Sequence, residues 1–240
     1  MGRRLGEMEA GESPLLIHPN HPHIMLLAPH SKFVLIGDSV TDAERARPAG
    51  EGLFGAYGKG YVANVEAVLS AFVPERSIRV VNQGCGGHTV RDLKKRWQTD
   101  VLDLKPDWVS ICIGVNDVWR QFDTPLIVEG QVPLDEYTAT LEELVSLTRP
   151  QVEGLVLMTP YVIEPNKADA MRVRMDQYGA AVRDVAARHD AVFVDLQAAF
   201  DVATSKRHAM AWAWDRIHPN AAGHMVIARA LLDAVGFGWE

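Results

Sequence analysis

The sequence predicts an α/β fold, a parallel sheet of five strands with helices packed on both of its faces. Three observations point there. Five short apolar runs recur along the sequence, segments with helical spacing fall between them, and the residues richest in chemistry stand just beyond the runs. Neighbouring parallel strands need a crossover long enough to hold a helix, so strand and helix in alternation imply a parallel sheet covered on both sides. In such sheets ligands bind outside the carboxyl ends of the strands, where the loops diverge.

Taken in order, residues 1–30 carry Gly, Pro, Glu and His without a sustained period and read as an N-terminal extension, leaving residues 31–240 as a single domain. Phe33 to Ile36 is the first buried run, closed by Gly37. Tyr57, Tyr61, Val62, Val65, Val68, Leu69 and Phe72 then share one helical face. Ile78 to Val81 is the second run, and a helix is expected over Arg91 to Leu102. Trp108 to Ile113 is the third, followed by Leu134, Tyr137, Leu141, Leu144 and Val145 at helical spacing. Leu155 to Met158 and Ala191 to Val194 complete the strands, with helices over Met171 to Arg188 and Ala221 to Val235. No internal repeat, low-complexity tract or linker divides the domain.

Composition narrows the function. Hydrophobic residues make up 48% and charged residues 23% of the sequence, a balance that supports a packed core and argues against disorder. A net charge of −7 opposes nucleic acid and anionic membrane, which both need clustered Lys and Arg, and favours a neutral substrate. Two cysteines, Cys85 and Cys112, give no disulfide framework. Arg3-Arg4 could open an export signal, but Glu7, Glu9 and Glu12 interrupt the apolar stretch such a signal needs, and Ile24 to Ala28 is far too short to span a membrane. The expected location is the cytoplasm.

Four loaded segments fall on the carboxyl rim: Gly37-Asp38-Ser39 after the first run, Gly84-Cys85-Gly86-Gly87-His88-Thr89 after the second, Gly114-Val115-Asn116-Asp117 after the third, and Asp215-Arg216-Ile217-His218 well after the fifth. Cleaving an ester needs a nucleophile, a base for its proton, a group that orients the base, and donors for the developing oxyanion. Ser39 supplies a hydroxyl, His218 an imidazole, and Asp215 a carboxylate that fixes the tautomer of that imidazole. A bare glycine N–H at Gly87, the Asn116 amide and the Ser39 N–H make a three-donor oxyanion hole. No loop on this rim presents a three-ligand metal site.

The quartet Ser39, Gly87, Asn116 and His218 resembles, in order and spacing, the four residues that name the SGNH (GDSL) hydrolases. The serine comes early and the Asp-x-x-His pair late, unlike the α/β-hydrolases, whose serine sits in a G-x-S-x-G elbow near the middle of the sequence. The likeness reaches across residues 32–240 through stretches such as GDSVTDAERARPAGEG, VVNQG, GHTVRDLKKRW, KPDWVSICIGVNDVWRQFD and AWDRIHPNAAGHM, which are similar to those of bacterial acetylxylan esterases. The resemblance implies a three-layer α/β/α sandwich of the SGNH, flavodoxin-like type, removal of O-acetyl groups from xylo-oligosaccharides or related sugars, no cofactor, and a homo-oligomer. Position 88 departs from the family pattern, with His88 where asparagine is expected, which places an extra titratable group beside the oxyanion glycine. Val40 replaces the leucine of the GDSL label and alters no catalytic group.

Each of these residues also has an ordinary explanation taken singly: Ser39 as a helix cap, Asn116-Asp117 as turn residues. Their joint placement at four strand ends favours chemistry. Gly50 to Gly55 matches G-x-G-x-x-G, yet Arg47-Pro48 separate it from the preceding strand, so a flexible loop leading into a helix is expected there. His18, His21, His23 and His30 lack partnered ligands and read as tail residues. Cys85 reads as a small buried thiol. Trp119, Trp214 and Arg120 are candidate sugar contacts, with Trp212 a weaker one. Two rival functions remain open: a lipase, lysophospholipase or thioesterase of the same class, which needs an apolar channel, and a catalytically silent carbohydrate-binding protein, against which the complete triad speaks.

Overall fold

A computed structural model describes residues 24–239. Five parallel strands, β1 (Lys32–Gly37), β2 (Arg79–Gly84), β3 (Trp108–Cys112), β4 (Gly154–Met158) and β5 (Val192–Val194), form one sheet in the order β2-β1-β3-β4-β5. Among the described residues eight α-helices connect or follow them: α1 (Ser39–Asp42), α2 (Tyr61–Phe72), α3 (Val90–Asp100), α4 (Val115–Asp123), α5 (Leu134–Thr148), α6 (Ala170–Arg188), α7 (Leu196–Lys206) and α8 (Ala221–Ala234). The backbone leaves β1 toward β2 on one side and reaches β3 on the other, so the strand order reverses at β1 and opens a crevice at its carboxyl end.

Both faces of the sheet are covered, which is why the strands read as nearly continuous apolar runs. One face packs Phe33 and Leu35 of β1 against Val62, Val65 and Leu69 of α2, Phe200 of α7, and Ile227 and Leu231 of α8. The other packs Ile36, Val109 and Ile111 against Leu93 and Trp97 of α3, Leu141 and Leu144 of α5, and Met175, Tyr178 and Val182 of α6. The three-layer α/β/α expectation holds.

Where the structure differs from the sequence expectations, the causes are local. Helix α2 starts at Tyr61, four residues later than Tyr57, because Gly58 adopts φ +87° and Gly60 caps the helix. Strand β2 runs on through the polar Asn82 and Gln83. The Asn82 amide donates to the Thr41 and Tyr57 carbonyls at 2.7 and 2.9 Å, and its Oδ1 accepts from the Gly84 N–H at 2.8 Å, so its burial is fully compensated. Gly50 pairs with Asn82 in an antiparallel bridge, so the segment expected to be a flexible loop is tied to the sheet edge. The N-terminal boundary also shifts. Leu27 is buried in the core, the Leu26 N–H donates to the Val235 carbonyl at 2.9 Å, and Arg76 donates to the Leu27 carbonyl at 2.5 Å. Residues 24–30 therefore pack on the domain, while His18, His21 and His23 lie outside the described residues. Among the described residues no helix is long and apolar enough to cross a membrane, and no group of three His, Cys, Asp or Glu could hold a metal ion.

Candidate active site

Ser39 opens α1, directly after β1. Asp38 caps this single turn, its Oδ1 accepting from the Val40 N–H at 3.0 Å, and the Ser39 N–H is a first-turn donor with no intrahelical partner. The turn sits hard against β2: a Cβ at Gly84 would lie 2.1 Å from the Asp42 N, so only glycine allows α1 and β2 to approach this closely.

His218 precedes α8, and the structure joins three predicted residues in one hydrogen-bonded line. Ser39 Oγ lies 2.8 Å from His218 Nε2, and His218 Nδ1 lies 2.6 Å from Asp215 Oδ2. Asp215 Oδ1 accepts from the N–H groups of Ile217 at 2.9 Å and His218 at 2.8 Å. Partial burial works to raise the Asp215 carboxyl, but the His218 side chain and these two N–H groups outweigh it and hold the group below the ordinary carboxylate range. An ionised Asp215 accepts a hydrogen bond from Nδ1–H and keeps that hydrogen on Nδ1, which leaves the Nε2 lone pair facing Ser39.

The second loop is fixed by residues that sequence reasoning missed. Asp42 Oδ2 accepts from the Gly86 N–H at 3.0 Å and pairs with Arg47 at 2.5 Å, and Oδ1 accepts from the Arg45 N–H at 3.2 Å. Burial of Asp42 is outweighed by these partners, so its carboxyl stays below its ordinary range. Arg45 donates to the Gly84 carbonyl at 2.7 Å and contacts Cys85 Sγ at 3.6 Å, and that thiol is half-buried. Arg96 of α3 bridges the carboxyl ends of two strands, donating to Gly37 O at 2.9 Å and Gln83 O at 2.7 Å. These contacts leave Gly87 at φ +78°, a left-handed conformation suited to glycine.

Asn116, on the first turn of α4, is buried and donates from Nδ2 to the His88 carbonyl at 3.0 Å. One amide hydrogen thus locks α4 to the second loop, and the other remains for the site. The His88 ring accepts at Nδ1 from Arg96 Nε at 3.1 Å. Burial, then the Arg96 charge, lower its pKa, so at neutral pH this extra group is uncharged. Trp119 meets the His218 ring edge to face, with centroids 5.8 Å apart. Arg120 stacks over Trp119 at 5.2 Å, ion-pairs with Asp123 and reaches Asn116 Oδ1 at 3.4 Å, so its guanidinium is already engaged. Trp214 is 91% exposed, and Trp212 is partly buried against the core on one face of the sheet.

A serine hydroxyl, an imidazole and a carboxylate joined in one hydrogen-bonded line at the carboxyl rim are the groups a serine-dependent acyl hydrolase needs. The model of the GDSL-like lipase/acylhydrolase family matches residues 35–226, and the chain belongs to that family; it is a carboxylic ester hydrolase. An acetylxylan esterase of Geobacillus stearothermophilus is 55% identical over 215 residues, covering 90% of this chain and 98% of the relative. The crystal structure of Axe2, an acetylxylan esterase from the same organism, superposes with a TM-score of 0.89 at 55% identity, covering 90% of this chain and 98% of that one. LAE5, an alpha/beta hydrolase enzyme from the metagenome of Lake Arreo, Spain, is 57% identical with a TM-score of 0.88, covering 89% and 98% respectively. The expected family and acetyl-esterase class are thereby met.

Proposed function

We propose that the protein removes O-acetyl groups from xylo-oligosaccharides or closely related sugars, with Ser39 as nucleophile, His218 as acid and base, Asp215 as its orienting carboxylate, and Ser39, Gly87 and Asn116 as oxyanion donors. The observation that carries this reading is the unbroken line from Asp215 through His218 to Ser39, set beside the left-handed Gly87 and the buried Asn116. Ser39 Oγ bonds to the acetyl carbonyl carbon as its proton passes to His218 Nε2, and the carbonyl electron pair moves onto oxygen among the three donors. Collapse re-forms the carbonyl and breaks the bond to the sugar oxygen, which takes the proton from Nε2. Water then repeats the sequence on the acetyl-serine, with His218 accepting its proton. Acetate leaves as Ser39 recovers its own. We assign the sugar contacts to Trp119, which meets the His218 ring, and to the exposed Trp214, while Arg120, engaged with Asp123 and Asn116, serves the sugar through the Trp119 face it stacks on.

The rival with a longer acyl group predicts the opposite selectivity. A site closed around one methyl loses about 1–3 kcal/mol when overfilled, whereas an apolar channel gains about 0.8 kcal/mol per added methylene. The hollow that contains Ser39 and His218 sets Glu44, Lys59 and His224 beside Val40, Ala43, Pro219 and Ala221, so its apolar part is made of small side chains interrupted by charged and polar ones rather than forming a long acyl channel. With p-nitrophenyl esters we expect acetate to be cleaved much faster than butyrate, and octanoate barely at all. With acetylated xylo-oligosaccharides, mass spectrometry should show successive loss of acetyl groups. A kcat/KM that climbs with acyl length overturns the acetyl reading and leaves the triad chemistry standing.

A further inference from the structure

We propose that the hollow between the end of α1 and the start of α8 is the subsite for the leaving-group sugar, with Glu44, Lys59 and His224 as its hydroxyl-binding groups; this inference rests on the deacetylase reading above.

The hollow holds about 390 Å³, and Ser39 and His218 form part of its wall while neither Gly87 nor Asn116 does. That placement decides which part of the substrate it serves. In the tetrahedral intermediate the oxyanion lies among the donors, and the departing oxygen must lie by His218 Nε2 to receive its proton. The alcohol being released therefore emerges on the His218 flank of Ser39, where the hollow opens, and its volume falls in the ~300–1,000 Å³ range of small-molecule sites.

Its polar groups suit a neutral polyol. Lys59 Nζ and Glu44 Oε2 lie 2.5 Å apart, so an acceptor and a set of donors stand side by side with no net charge. Adjacent sugar hydroxyls can donate to the carboxylate and accept from the ammonium at the same time. His224 is buried, and its Nδ1 accepts from the Tyr61 N–H at 3.2 Å. That bond fixes the neutral tautomer with its hydrogen on Nε2, a further donor on the hollow's inner wall. Burial, then the neighbouring His218, lower the His224 pKa to about 4, so the ring stays neutral. The backbone is bent to bring Glu44 here: Ala43 and Glu44 take φ +41° and +66°, left-handed at two successive residues with side chains. The Lys59 N–H holds that bend by donating to the Ala43 carbonyl at 2.7 Å. Backbone of this kind is costly, and it gathers at functional sites.

The test compares two esters that share the acetyl group and differ in the alcohol. The Glu44→Ala/Lys59→Ala double variant should lower the ratio of kcat/KM for an acetylated xylo-oligosaccharide to that for p-nitrophenyl acetate by at least about tenfold, the loss appearing in KM for the sugar ester. His224→Asn, which keeps an acceptor for the Tyr61 N–H and draws the side-chain donor back from the Nε2 position, should move the ratio the same way. A double variant whose ratio stays within about twofold of the wild type overturns the subsite and leaves the deacetylase reading intact. Wild-type protein that cleaves the aryl ester and leaves the sugar ester untouched overturns both.

Discussion

Asp215 accepts three hydrogen bonds with two oxygens, one from the ring it orients and two from the backbone of the same turn. The carboxylate therefore shapes the loop and sets the tautomer at once. Asparagine at 215 keeps an oxygen for the backbone donors but turns an N–H₂ toward Nδ1. That places the ring hydrogen on Nε2 and removes the base from Ser39. We expect Asp215→Asn to lower kcat by about 10⁴-fold, and Ser39→Ala to lower it by about 10⁶-fold, as in other serine triads. Turnover of p-nitrophenyl acetate, with circular dichroism to check folding, measures both. A folded Ser39→Ala variant within tenfold of the wild type would remove Ser39 from the mechanism. Arg120 acts at one remove, since its ion pair with Asp123 and its contact with Asn116 Oδ1 brace the Asn116 side chain.

The loop that carries Asp215 and His218 belongs to no helix or strand, yet it is held at several points. Tyr161 donates from its hydroxyl to the Ile217 carbonyl at 3.1 Å, and the Ile163 N–H donates to the Arg216 carbonyl at 2.8 Å. The Arg216 guanidinium lies 3.0 Å from both Glu164 and Asp169, across from the start of α6, and its backbone is left-handed at φ +69°. Arg216→Gly removes the ion pairs and suits the φ, whereas Arg216→Ala removes them and keeps the strain. Both should lower kcat by roughly tenfold to a hundredfold through a looser triad, with KM little changed. The glycine variant should unfold at a higher temperature than the alanine variant, given a left-handed penalty of about 1–2 kcal/mol. If kcat of both variants stays within twofold of the wild type, the clamp has no part in positioning. Arg216 shows what the sequence withholds. Strands and the longer helices were legible because β1, β3 and β4 each carry a buried apolar run, interrupted in β3 by Ser110, and α2, α5 and α8 keep a buried stripe. Helices α1, α4 and α7 were not: α1 is a single turn, α4 begins in what reads as a Gly-Val-Asn-Asp loop, and α7 buries only Leu196, Gln197 and Phe200. Ser39, Gly87, Asn116, Asp215 and His218 stood out because each follows a readable strand or sits in a recognisable motif. The supports Asp42, Arg45, Arg96 and Arg216 act through contacts between distant segments, and no spacing reveals those.

At the scale of the whole molecule, two buried carboxyls tie stability to pH. Asp38 and Asp117 both lie beneath the rim, where burial lifts their pKa values to about 6 and about 7 against the opposing bonds from the Val40 and Val90 N–H groups. Asp117 Oδ1 accepts from the Val90 N–H at 3.0 Å, linking the start of α3 to α4, while Oδ2 finds no partner among the described residues. A carboxyl whose pKa rises on folding keeps its proton in the folded state after the unfolded state has lost it. Stability from that group is therefore greatest below the unfolded value of 3.8 and declines as pH climbs toward about 7. For Asp117 the full decline is on the order of 4 kcal/mol. His224 runs the other way: its pKa falls from 6.5 to about 4 on folding, so it adds stability as pH rises through that interval. The wild-type curve alone mixes these contributions, and a difference between variants separates them. Asp117→Asn preserves an acceptor for Val90 and has no charge to bury. Its unfolding free energy relative to the wild type should rise from pH 5 and level off above about pH 7, by at least about 2 kcal/mol in all, in urea titrations at each pH. A difference that stays constant over that range would mean that Asp117 does not ionise at a cost to the fold, and its orphaned oxygen would then need another partner to account for it.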